Sequence, residues 1–164
     1  MDFDINSCAN FRQSLETKRP QSSALILESA RKSFIDQKSE EAVKLFKDLW
    51  LRPELSYPIR YRSEVALRLA FLYASQSNLA DANKLIESYR EKYPWTASLW
   101  HLKLKLLAAL GFWNDLQELL REEIPSSIMF LEQFKKEEII KILKQSPIHL
   151  NNDSELRKFL RKEI

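Results

Sequence analysis

Glycine is almost missing from this chain: 164 residues contain one, Gly111. Phosphate-cradling loops, nucleophile elbows and tight β-hairpin turns draw on glycine for left-handed backbone. The composition therefore argues against all three, and it favours helices, which have no such need. Cysteine is equally scarce. Cys8 alone excludes an internal disulfide framework and fits a reducing compartment. No apolar run approaches the roughly eighteen residues of a membrane span. The start, MDFDINSCANFRQ, has early acidic residues and no basic region followed by an apolar stretch, so it does not read as a secretory signal. A cytoplasmic location is the expectation.

Charge of a single sign is also lacking. Twenty-six Lys and Arg stand against 23 Asp and Glu, a net charge of +3 with pI near 8.9. The two signs alternate nearly everywhere, whereas a dedicated nucleic-acid binder concentrates its cations in a stripe. His101 and His149 are the only histidines, and no HxxxH, CxxC or HExxH pattern occurs. No metal or other cofactor is expected. The acidic pairs Glu40/Glu41, Glu122/Glu123 and Glu137/Glu138 are adjacent on helices and so point in different directions, unlike a catalytic dyad. Without a spaced Ser–His–Asp or Cys–His set either, no enzymatic activity is expected.

What is present is helical period between prolines. Hydrophobic residues make up 45% of the chain, enough for one domain with a core. Pro20, Pro53, Pro58, Pro94, Pro125 and Pro147 mark edges. Apolar residues recur at i, i+3 and i+4 over 21–37, 40–51, 59–76, 79–92, 97–110, 112–123 and 127–145, with a last short helix at 154–163. Asn78 and Thr96 are placed to cap helices, and Gly111 to end one. No segment alternates like a strand. The fold class read from this pattern is all-α, helix hairpins from end to end.

Hairpins of this length call for a test of internal repeats. Residues 63–96 carry Leu69, Ala70 and Tyr73 on a first helix, Ala82 and Ile86 on a second, and Pro94 at the end. That arrangement resembles the 34-residue tetratricopeptide repeat (TPR). Residues 97–130 resemble a second copy in frame, with Trp100 at the opening aromatic position and Gly111 at the turn, although Leu104, Leu107, Leu116 and Leu120 stand where small or aromatic residues are usual. Residues 23–56 resemble an earlier copy through Ala30, Ala42 and Phe46, with six extra residues before the next unit. The resemblance spans about two-thirds of the chain. It implies a TPR-like right-handed superhelix of three stacked units within 19–130. Residues 1–18 would cap one end, and C-terminal capping helices within 127–164 the other.

The resemblance further implies a concave groove lined by first helices. Carried over by position, it takes Leu27, Arg31 and Phe34 from the first unit, Leu67, Phe71 and Ala74 from the second, and His101, Lys105 and Ala108 from the third. Such a wall, apolar at its centre and cationic at its sides, would accept an amphipathic helix or extended apolar peptide of another protein. The expected role is a non-enzymatic adaptor or chaperone within a larger complex. Arg31, His101 and Lys105 would orient the guest's charged flanks. Family members that clamp a chaperone's terminal carboxylate use Lys and Asn where this chain has Leu67 and Phe71, so that role is not implied. The apolar groove and small size also resemble co-chaperones of type III secretion needle subunits. A rival reading is RNA binding, with Trp95, Trp100 and Trp113 stacking on bases and Arg60, Arg62 and Lys105 meeting phosphates. The Arg157, Lys158, Arg161, Lys162 cluster reads as the wet side of the last helix.

Overall fold

A computed structural model of the chain describes residues 22–53, 57–121 and 132–145. Among the described residues there are seven helices and no strand: α1 (Ser23–Ile35), α2 (Ser39–Leu51), α3 (Ile59–Ser75), α4 (Leu79–Arg90), α5 (Ala97–Leu110), α6 (Trp113–Arg121) and α7 (Gln133–Gln145). Three starts carry side-chain caps: Ser22, Asn78 and Thr96 accept from the backbone N–H groups of Leu25, Asp81 and Leu99. The 1–18 cap and the 154–163 helix lie outside the described residues, as does the start of the expected 127–145 helix.

The three hairpin turns are built alike. Gln37, Ser77 and Gly111 all take left-handed backbone, with φ of 59°, 63° and 72°. The residue after each sends its N–H back into the preceding helix: Lys38 to the Ser33 carbonyl, Asn78 to Tyr73 and Phe112 to Leu107, at 2.9 Å in every case. This is the Schellman closure, which satisfies carbonyls that a helix end leaves open. It corrects the argument from glycine scarcity, because two of the three left-handed positions are held by residues with a Cβ. The repeated closure holds the strained residue in place. From Ser77 to Gly111 is one step of 34 residues; from Gln37 to Ser77 the step is 40, carrying the six-residue insertion.

Counted from these turns, burial repeats. Seven residues before the turn stand Ala30, Ala70 and Leu104, and five after it Ala42, Ala82 and Leu116, all fully buried. Nine after it, Phe46, Ile86 and Leu120 fill the space between the paired helices. Small residues on both helices of the first two hairpins let the backbones approach closely, and one large side chain closes the gap. Tyr73 and Ala82 pack in the same apolar cluster.

Helix α5 divides the core. Leu99 and Leu106 join the cluster shared with α1 to α4, while Trp100, Leu104 and Leu107 join a second with Leu116, Leu119 and Leu120 of α6. Ile139 and Leu143 of α7 enter that second cluster and α7 lies against α5, while α5 also packs against α3 and α4. Polar groups from Tyr57 and α3 bind the end of α2. Tyr57 Oη donates to the Leu49 carbonyl at 2.8 Å, and Arg62 donates to the carbonyls of Trp50 (2.9 Å) and Arg52 (2.5 Å). The Arg62 guanidinium also stacks over Tyr57, 4.6 Å from the ring centre. One buried cation thus supplies donors to the open end of α2.

Candidate functional site

A cleft of about 620 Å³ runs across the first helices of successive hairpins. Its apolar surface comes from Phe34 of α1, Leu67 and Phe71 of α3 and Leu102 of α5. Phe71 is 52% exposed, although it lies beside Phe34 with ring centres 6.1 Å apart. Phe34 is held from two other sides: it meets Phe46 edge-on at 6.4 Å, and the Arg68 guanidinium sits 4.7 Å over its ring. The aromatic floor is therefore built into the core at Phe34 and open at Phe71.

Each side of the cleft carries a carboxylate gripped by cations. Arg31 donates to Glu64 through Nε (2.9 Å) and Nη2 (2.6 Å), Arg68 Nε donates to the same carboxylate at 3.0 Å, and Arg31 also reaches Glu28 at 2.8 Å. The Arg31 hydrogen bond holds Glu64 below the usual carboxylate range in spite of its partial burial, and Glu64 in turn raises the pKa of Arg31. On the far side, Lys105 Nζ donates to both oxygens of Glu138, at 3.0 and 3.1 Å. Burial works against the Glu138 charge, but the hydrogen bond and charge of Lys105 prevail, and its pKa is lowered. His101 is 5% exposed, with Nε2 3.1 Å from Glu138 Oε2 in an orientation that does not make an aligned hydrogen bond. Burial pushes its pKa down, so the imidazole is neutral at pH 7.

Of the groove residues expected from the sequence, Phe34, Leu67, Phe71, His101 and Lys105 line this cleft. Arg31 is not among its lining residues and reaches it through its bond to Glu64. Three further placements are corrected. Leu27 is 5% exposed and packs in the core, because its turn of α1 faces the other helices. Ala74 is half-buried against the same core and does not line the cleft. Ala108 lines a neighbouring hollow of about 440 Å³ with Trp113 and Ile142, beyond the Lys105–Glu138 pair. The electrostatic expectation is corrected as well. Arg31 and Lys105 are ion-paired within the chain and His101 is uncharged, so none of the three is an open cation.

The sequence reading missed Glu64, Arg68, Leu102 and Glu138. A signal existed: Arg31 and Glu64, and again Lys105 and Glu138, are opposite charges 33 residues apart, close to one repeat length. One pair joins α1 to α3 and the other α5 to α7. Two residues of the RNA reading are withdrawn from the surface, since Trp100 is fully buried and Arg62 is 4% exposed. Among the described residues, no group of three His, Cys, Asp or Glu could hold a metal ion, and no helix is long and apolar enough to cross a membrane. No protein-family model matches the chain, nor does any curated protein or solved structure.

Proposed function

We propose that the chain is a TPR-like right-handed superhelix with C-terminal capping helices, acting without catalysis as an adaptor or chaperone that buries an apolar helix or peptide of a partner protein. The observation that carries this reading is Phe71, half exposed in a cleft whose other large apolar side chains are partly covered. Fully burying a side chain of that size contributes about 1.5–3 kcal/mol, and a guest covering the half of Phe71 still in solvent gains about half of that from area alone. The 34-residue step between turns and the repeated burial positions support the superhelix. The internal pairing of Glu64 and Glu138 supports a guest held by apolar contact, because pairing leaves little uncompensated charge in the cleft. An RNA strand would need cations free to meet phosphates.

Phe71→Asp tests the reading. The variant keeps its helical circular dichroism, since Phe71 is half in solvent, and loses partner capture from the native host by at least about thirtyfold, as for a hot-spot residue. A benzophenone amino acid at position 71 crosslinks to the captured protein, whereas the same group at Leu51, exposed on α2, does not. Undiminished capture by folded Phe71→Asp removes the cleft assignment. Capture that collapses as salt is raised favours the RNA reading instead.

A further inference from the structure

The wall of the cleft formed by α7 is attached differently from the rest. Ile139 and Leu143 are buried in the apolar cluster that α7 shares with α5, and a polar tie from α7 to α5 runs through Glu138, which lies against both Lys105 and His101. Lys105 and Glu138 are each about two-fifths exposed, so their pair is screened by water and adds little to holding the helix. His101 differs: its side chain is only 7% exposed at the seam, with Nε2 lacking an aligned partner.

We propose that the α5–α7 seam is an acid-sensitive catch, in which protonation of His101 detaches α7, removes one wall of the cleft and releases the guest. A second proton on the imidazole puts a charge in a place with almost no water, which is costly unless it is fully paired. Glu138, 3.1 Å from Nε2, favours that charge but shares its carboxylate with Lys105, and its pull is outweighed by burial. Lys105 on the same helix and Lys135 on α7 both oppose it. The other helices packed on α5 bring no free carboxylate to compensate. In α3, Glu64 is held by Arg31 and Arg68. In α4, Glu87 is bound to Lys103, which projects from the opposite side of α5. The charged residues of α6, Asp115, Glu118 and Arg121, are exposed. Burial is the largest influence on His101 and lowers its pKa in the attached state.

The detached state has the ordinary histidine pKa near 6.5 and takes up the proton more readily. Attachment is therefore at full strength above about pH 6.5 and weakens as pH falls below it, by at most about tenfold per pH unit for one proton. Glu138, lowered from its ordinary value, stays ionised across that interval.

The identity of what is released rests on the guest-binding reading; the detachment does not, and it is measured without a guest. In full-length protein with Cys8→Ser, nitroxides at Ala109→Cys of α5 and Lys141→Cys of α7 report the seam. Both positions are exposed and line the same hollow. Dipolar broadening present at pH 7.5 is lost towards pH 5, and the His101 ring protons titrate below the ordinary histidine value over the same interval. In His101→Phe, which cannot take a proton, the broadening persists at pH 5; His101→Gln serves the same purpose should the phenylalanine variant not fold. Broadening unchanged at pH 5 in the parent protein, or lost equally in both His101 variants, overturns the proposal. Either result leaves the Phe71→Asp test of guest binding untouched, and failure of that test leaves this one standing.

Discussion

Two kinds of residue carry strain or charge that the fold must hold in place. Gln37 and Ser77 adopt φ near +60° at exposed turns, where a Cβ is unfavourable and only the Schellman closure keeps the geometry. Gln37→Gly should therefore stabilise the protein by roughly 0.5–1 kcal/mol, read as a higher urea midpoint at unchanged slope. Gly111→Ala should cost about 1 kcal/mol despite open space around its Cβ position, since the penalty lies in φ alone. Arg62 is the opposite case, a buried cation whose value lies in the carbonyls it serves. Arg62→Met leaves the carbonyls of Trp50 and Arg52 without these donors, and a loss of about 2–4 kcal/mol in urea unfolding is expected. Lysine should not rescue it, because a single ammonium cannot reproduce the two-pronged geometry over Tyr57. Of these, only the turn at Gly111 is legible in the sequence. Gln37 and Ser77 are ordinary polar residues there, and Arg62 reads as an open cation, since its partners lie ten and twelve residues back in the chain.

At the scale of elements, the helices themselves are legible. Proline edges, N-caps at Asn78 and Thr96 and apolar period place six of the seven observed helices within about two residues of their bounds, because each signal is local. Which face each helix buries depends on the neighbours. Leu99, Lys103 and Leu106 of α5 are buried on the side of α4, where Lys103 bonds Asn83 and Glu87 at 2.6 Å. The matching residues of α3, counted from its turn, are Val65, Leu69 and Leu72, and all are buried too. In α1 the same positions hold Leu25, Ser29 and Lys32, all exposed. The first described hairpin thus sets a hydroxyl and an ammonium beside one open leucine where the later hairpins bury their seam. Ser29→Leu with Lys32→Leu should turn that face into a continuation of the apolar seam. The double variant is expected to self-associate, seen as a concentration-dependent rise in mass by sedimentation or light scattering, with helical content unchanged.

Over the whole molecule, two ion pairs span close to one repeat length. Arg31 with Glu64, and Lys105 with Glu138, join α1 to α3 and α5 to α7 along the cleft, so the groove is lined with charge yet largely neutralised from within. The order of residues alone is enough for the all-helical class and the succession of hairpins, because helix propensity, caps and period act over a few positions. The repeat resemblance, carried over by position, also names Phe34, Leu67 and Phe71, and these three line one cleft. Packing in three dimensions selects which large apolar side chains stay open and which charges cancel. It sends Leu27 inward, Ala108 to a separate hollow and His101 into a dry seam. Burial and pairing depend on what the neighbouring helix places opposite a residue, and that neighbour lies a full repeat away in the chain.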